Sequence, residues 1–196
     1  MTADGVVFEG GFESPALQAA AAFRAGLEAL ARPGAVEEIA GCTPPDGLSV
    51  AAGALLLSLA DADTPLWLPE ASDEALKAWL LFHCGAPRTW SRGTASFAVG
   101  SWQALMPLTD WAAGTPDYPD RSATLIVELD AMEGGPPLAL TGPGIPKEKR
   151  IAPALPLDAV EALAANAARF PLGVDLYLTV GERAMGLPRT TRVHRV

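Results

Sequence analysis

The last quarter of the chain constrains its fold most. From Phe170 to Arg192 it reads Phe-Pro-Leu-Gly-Val-Asp-Leu-Tyr-Leu-Thr-Val-Gly-Glu-Arg-Ala-Met-Gly-Leu-Pro-Arg-Thr-Thr-Arg. Val174, Leu176, Leu178 and Val180 fall on one side of an alternating strand, and Asp175, Tyr177 and Thr179 on the other. Gly181-Glu182 supplies a turn, and Ala184 to Leu187 returns antiparallel. Pro188 carries no N–H and blocks further ladder pairing. The pattern predicts a β-hairpin followed by a cationic tail with Arg189, Arg192 and Arg195.

Upstream, the chain alternates helices and strands. Ser14-Pro15 opens a helix, with Ser as N-cap and Pro at the first helical position. Ala16, Ala20, Phe23, Leu27 and Leu30 recur at helical spacing, and Arg32-Pro33-Gly34 stops the helix. A short strand is expected at 35–39, an apolar helix at 48–60, and a buried strand at 65–68. Ser72 is expected to cap a helix carrying Leu76, Trp79, Leu80 and His83, ended by Gly85. Strands are expected at 94–99, 124–129 and 137–141, and a last helix at 158–169. The Pro/Gly-rich stretch 107–119 reads as a loop or edge excursion of open role, and residues 1–12 as a flexible or edge-docking arm.

This succession with short connections predicts an α/β fold, a single-domain α/β/α sandwich over 1–196. Hairpin-like connections favour a mixed sheet over a purely parallel one. With 49% hydrophobic residues the chain is a folded globule, not a disordered one. No apolar run reaches the roughly 18 residues that span a bilayer, and no signal peptide is visible, so the expected location is the cytoplasm.

Net charge is −9, unevenly placed. Residues 1–146 hold 18 acidic and 6 basic side chains, whereas 147–196 hold 5 acidic and 8 basic ones. The overall acidity disfavours nucleic acid and anionic membranes as partners. The basic end suits an anionic ligand or an acidic protein surface.

Few residues advertise chemistry. Cys42 and Cys84 have neither metal spacing nor a disulfide framework and read as reduced thiols. His83, at a helix end, is an acid/base or anion-contact candidate, or a cation placed on the negative pole of the helix. His194 reads as solvated. Asp61 and Asp63 suit Mg²⁺ with a phosphorylated substrate, or an Asx-bonded turn. Thr141-Gly142-Pro143-Gly144 follows a strand and suits backbone capture of a phosphate, with Lys147, Lys149 and Arg150 completing it, or is a strand-ending turn. It is neither a Walker loop nor a dinucleotide fingerprint. Arg189-Thr190-Thr191-Arg192 suits phosphate or phosphonate oxygens, or pairs with acidic residues of another subunit. No Gly-x-Ser-x-Gly nucleophile is present. None of the three lysines, Lys77, Lys147 and Lys149, is placed like a desolvated Schiff-base lysine. No metal site is expected.

Several segments together resemble the PhnH-type subunit of the bacterial carbon–phosphorus lyase system. They are Phe23-Arg-x-x-Leu-x-Ala-Leu-x-Arg-Pro-Gly34, Leu55-Leu-Leu-Ser-Leu-Ala-Asp61-x-Asp-Thr-Pro65, Phe82-His-Cys-Gly-Ala-Pro87, Leu140-Thr-Gly-Pro-Gly-Ile145, Ile151-Ala-Pro, and Phe170 through Thr191. The ordered set spans about 14–193.

The resemblance implies a role in breaking down alkylphosphonates. It implies an accessory or structural subunit of a complex that joins the phosphonate to a nucleotide-derived ribose, giving a ribose 1-phosphonate 5-triphosphate. The implied fold is a reduced relative of pyridoxal-phosphate-dependent transferases without the cofactor. The implied partners are a second copy of the chain and other carbon–phosphorus lyase subunits. The alternative is a subunit that itself holds a phosphonate or nucleotide. No catalytic residue is carried over. The matched positions that stand as ligand or interface candidates are Arg24, Asp61, Thr64, His83, Thr141, Gly142, Gly144, Arg189, Thr190 and Thr191.

Overall fold

The computed structural model describes residues 9–196. Of the N-terminal arm expected at 1–12, residues 1–8 lie outside the described residues.

The elements run α1 (Pro15–Ala31), β1 (Val36–Glu38), α2 (Val50–Leu59), β2 (Leu66–Trp67), α3 (Glu74–Cys84), β3 (Phe97–Ser101), α4 (Trp102–Leu105), β4 (Thr124–Glu128), β5 (Leu138–Thr141), β6 (Lys149–Ile151), α5 (Ala159–Ala167), β7 (Asp175–Val180), β8 (Arg183–Leu187) and β9 (Arg192–Arg195). Single 3₁₀ turns lie at Arg92–Thr94, Leu108–Asp110 and Pro119–Arg121.

Six strands form the main sheet in the order β1-β8-β7-β4-β3-β2. The strands from β2 to β7 are parallel, while β7/β8 and β8/β1 are antiparallel. The sheet is therefore mixed, as the hairpin-like connections predict. The C-terminal hairpin forms with Leu178 opposite Met185 and Val180 opposite Arg183, and β8 stops at Leu187, one residue before Pro188.

Both faces of this sheet are covered, and the strand residues alternate between two cores. Leu125, Val127, Leu176, Leu178 and Met185 join one apolar cluster; Val99, Ile126, Tyr177 and Ala184 join the other. Helices α1, α2 and α3 supply the second cluster with Ala29, Leu55, Trp79 and Leu80. Tyr177 and Thr179, on the polar side of the expected alternation, are thus buried.

The opposite layer differs from a helical one. A second sheet, β6-β5-β9, packs there together with α5 and the 102–111 segment. The expected α/β/α sandwich is in this respect corrected, because β5 contributes Leu138 and Leu140, β6 Ile151 and β9 Val193 to that core. The same finding corrects one local expectation and places a second charged segment. The cationic tail is a strand: Arg192 to Arg195 pairs antiparallel with β5, using alternate side chains so that Val193 is buried between exposed Arg192 and His194. Of the basic residues offered there as phosphate contacts, Lys149 and Arg150 lie in β6, in which Ile151 is the buried residue.

Two further boundaries and one cap bond differ. Asp73, not Ser72, caps α3, because its carboxylate accepts from the Ala75 N–H at 2.7 Å. Ser14 occupies the N-cap position of α1 without a side-chain cap bond; the Gln18 side chain, one turn on, accepts the Ser14 N–H at 2.6 Å instead. The strand expected at 94–99 starts at Phe97 and runs to Ser101, whose hydroxyl then caps α4. The 107–119 stretch also has a defined role. Leu108 and Trp111 are buried, Trp111 packs edge-on to Trp67 at 5.2 Å, and its indole N–H donates to the Leu105 carbonyl at 2.7 Å.

Candidate functional site

The candidate residues distribute over separate parts of the fold. Arg24 lies on the outer stripe of α1, exposed, beside Leu17, Ala20, Ala21 and Glu28. A helical repeat places these side chains on one face. The same stripe exposes Leu17 (76%) and Leu27 (51%), flanked by Phe23 and, on the edge strand β1, Val36. Edge strands present unpaired backbone groups, so α1 and β1 together offer an apolar, hydrogen-bonding flank.

Asp61 and Thr64 form a self-contained turn between α2 and β2. The Asp61 carboxylate accepts from the Asp63 N–H at 2.9 Å, and the Thr64 hydroxyl accepts from the Asp61 N–H at 2.7 Å. This is the Asx-type arrangement. Among the described residues no group of three or more His, Cys, Asp or Glu side chains is placed to hold a metal ion.

His83 sits in the last turn of α3 and packs against Trp79 at 4.8 Å and Phe82 at 4.9 Å. The arm lies directly over it: a Cβ on Gly11 would stand 2.5 Å from the imidazole. The arm is anchored there by Trp79, whose indole N–H donates to the Glu9 carbonyl at 2.8 Å. The His83 Nε2 is buried without a hydrogen-bond partner.

Two candidate segments do meet. Thr141, the last residue of β5, stands opposite Arg192. Gly142, with φ of +137°, lies so close to the next turn that a Cβ would stand 2.9 Å from the Thr190 carbonyl oxygen. Gly144, with φ of +80°, approaches the end of α1, where a Cβ would come 2.0 Å from the Ala31 oxygen. Both conformations favour glycine, and both glycines serve close backbone packing. His83 and Asp61 belong to the helical side of the main sheet and do not join this cluster.

Arg189 is engaged inside the protein. Its backbone N–H and Nε donate to Asp175 Oδ1 at 2.8 and 3.1 Å, and Nη2 donates to Oδ2 at 2.5 Å and to the Ser122 hydroxyl. Nη1 donates to the Pro119 carbonyl at 2.7 Å and to that of Pro171 at 3.5 Å. All five guanidinium N–H donors thus have protein acceptors. Thr190 borders the shallow groove beside this pair with Asp120 and Phe170, while Thr191 is buried, its hydroxyl without a partner.

Four titratable groups depart from their ordinary behaviour, among them Tyr177, whose phenol burial raises. Burial pushes both the Cys42 and Cys84 thiols up to about 12, Cys84 with a further contribution from Cys42, so both are poor nucleophiles at neutral pH. Burial also raises Glu128, against hydrogen bonds from Ser49 and Thr179 that favour its ionised form. Its carboxylate accepts the Ser49 N–H at 2.8 Å, at the N-terminus of α2.

Arg88 escapes the sequence reading. It follows directly on the Phe82–Pro87 motif and stacks over Trp90 at 3.8 Å. The Arg-x-Trp spacing after a helix-ending glycine is the one signal that points to it.

The family described as bacterial phosphonate metabolism protein (PhnH) matches residues 10–194. The chain is 43% identical, over the full length of both, to a Rhizobium meliloti (strain 1021) protein named alpha-D-ribose 1-methylphosphonate 5-triphosphate synthase subunit PhnH. It is 32% identical to a Stutzerimonas stutzeri protein named putative C-P lyase subunit protein HtxG, over 88% of this chain and 84% of the relative.

Proposed function

This chain belongs to the PhnH family of bacterial phosphonate metabolism proteins, and from that premise we propose that it is an accessory, structural subunit of a carbon–phosphorus lyase system. In this role it contributes to formation of a ribose 1-phosphonate 5-triphosphate from an alkylphosphonate and a nucleoside triphosphate. The observation that carries the reading is the end-to-end 43% identity to a protein named as a subunit of that synthase.

The geometry supports an assembly role. The α1/β1 flank exposes Leu17, Phe23, Leu27 and Val36 around Arg24, a composition suited to a subunit contact with an apolar centre and a forked cation. The proposed partners are the other subunits of the system and, for the isolated chain, a second copy. Over 1–196 the chain acts as one PhnH-like domain, in the cytoplasm. Among the described residues no helix is long and apolar enough to cross a membrane. A reduced pyridoxal-phosphate-transferase ancestry remains part of this reading; Lys77, the lysine nearest such a role in a helix, is ion-paired to Glu74.

The alternative, a subunit that holds a phosphonate or nucleotide at Thr141–Gly144 and Arg189–Thr191, draws on the contact between these two turns. The engagement of every Arg189 donor within the fold favours the structural reading over it.

The test is reconstitution of the synthase from purified subunits. Product formation that requires this chain, with no turnover by the chain alone, supports the proposal. Full activity in its absence contradicts it.

A further inference from the structure

Between β2 and α3, on the flank of the sheet opposite β1, lies a cleft of about 300 Å³. Leu66, Leu68 and Leu80 form its apolar walls, and its charged lining is Arg88 together with the Lys77–Glu74 ion pair. Arg88 extends the sheet edge: it bridges to Leu66, and the flanking Pro87 carbonyl and Thr89 N–H both bond to Leu66 at 2.9 Å.

The guanidinium of Arg88 is fixed on one side by its stack on Trp90. Its Nε and Nη2 are buried and have no hydrogen-bond partner. A buried donor without an acceptor is costly, and charged donors more so. Nε and Nη2 form the parallel fork that takes two oxygens of one acid group. Elsewhere in this protein Arg189 uses the same two atoms on the two oxygens of Asp175. Arg88 presents that fork unused. Lys77, whose side chain is only 12% exposed, lines the same cleft but is already held by Glu74 at 2.6 Å and the Glu70 carbonyl at 3.2 Å, which leaves Arg88 as the unpaired cation of the lining.

We propose that this cleft is a binding site for a small organic anion, whose acid group, phosphonate or carboxylate, takes the Nε/Nη2 fork of Arg88 and whose short alkyl body lies against Leu66, Leu68 and Leu80. The volume equals that of about ten water molecules, at roughly 30 Å³ each, enough for a short-chain organic acid. Leu81, 60% exposed, lines the cleft, and its rotation would widen the approach to the buried donors while Trp90 keeps its stack on the guanidinium. Such rotamer changes commonly accompany binding. The site is independent of the assembly role: its test uses the isolated chain and no partner.

Calorimetric titration of the full chain with butylphosphonate, methylphosphonate, butanoate and inorganic phosphate tests it. Affinity should rise roughly fourfold for each methylene buried, so butylphosphonate should bind at least tenfold more tightly than methylphosphonate. Inorganic phosphate should bind weakest, and the order of butylphosphonate and butanoate identifies the acid group. Arg88→Met should weaken butylphosphonate at least tenfold. Ala78→Phe, which narrows the cleft and leaves Arg88 in the chain, should abolish the preference for the longer chain, and it keeps the test decisive if Arg88→Met unfolds. Absence of binding, equal affinity for butylphosphonate and phosphate, or affinity unchanged in Ala78→Phe would overturn the proposal.

Discussion

Arg189 holds both carboxylate oxygens of Asp175, Nε on Oδ1 and Nη2 on Oδ2, and so ties the turn after the C-terminal hairpin to the first residue of its first strand. The same guanidinium reaches Pro119, Ser122 and Pro171. One side chain therefore closes three separate turns. The pair is largely buried, with side-chain exposures of 12% and 22%.

Removing one partner of such a pair leaves a desolvated charge unmet. Arg189→Ala should destabilise the fold by about 2–4 kcal/mol. Lys should not rescue it, because an ammonium cannot reproduce the fork. Urea denaturation of the two variants measures this; a loss under about 0.5 kcal/mol would deny the structural role.

Tyr177 locks the hairpin to α1. Its hydroxyl donates to the Gly26 carbonyl at 3.0 Å across 151 residues of sequence. Burial, with the charge of Asp175 adding to it, raises the phenol well above its ordinary range, so it stays a donor at every physiological pH. Tyr177→Phe keeps the packing and removes this bond, at a cost of about 1 kcal/mol. Thermal unfolding of the variant, with an unchanged circular dichroism spectrum, reads the difference.

Glu128 makes stability depend on pH. Its carboxyl is raised by burial, so the folded state holds the proton more tightly than the unfolded chain. The contribution favouring the fold is complete below the ordinary carboxylate range and is lost as pH rises through the raised folded value. Glu128→Gln stays neutral, and its amide oxygen can still accept the Ser49 N–H. Its melting temperature relative to the parent protein should therefore increase from pH 4 to pH 7.5. A difference that does not change with pH would contradict this.

Trp111 tests the segment between α4 and β4. It is buried against Trp67, and its N–H is satisfied by Leu105. Trp111→Ala should cost about 3–5 kcal/mol, measurable by denaturant unfolding. A surface excursion would tolerate the change.

The sequence reveals the elements whose patterns are local. The hairpin from Asp175 to Leu187 is legible because alternation, a Gly-Glu turn and Pro188 agree. Helix α1 is legible from its Ser-Pro start and Arg-Pro-Gly stop. What escapes are elements defined by distant partners. Arg192 to Arg195 reads as a charged tail because three of its four side chains are exposed; only pairing with Leu138–Thr141 makes it a strand. The same holds for Lys149–Ile151. Trp111 sits among prolines that suggest a loop, and only the fold shows it against Trp67.

The site was legible in part for the same reason. Thr141–Gly142 and Thr190–Thr191 meet because β5 pairs with β9, a register that no local motif encodes. Arg189 resembles a free phosphate ligand in sequence; its acceptors at Pro119, Ser122 and Pro171 come from far along the chain. Arg88 carries only the weak Arg-x-Trp signal, and its significance lies in the two donors that the fold leaves without acceptors.

The central claim is that this chain works as an assembled subunit through its α1/β1 flank. The most direct measurement is co-purification of the chain with the other carbon–phosphorus lyase subunits, with Leu17→Asp/Leu27→Asp as the comparison. Both positions are exposed, so the double variant should keep its fold and melting temperature. The account predicts a stoichiometric complex for the parent chain and at least a tenfold loss of association for the variant. Undiminished assembly by the folded variant would contradict the assignment of this flank, and no association by the parent chain would contradict the account itself.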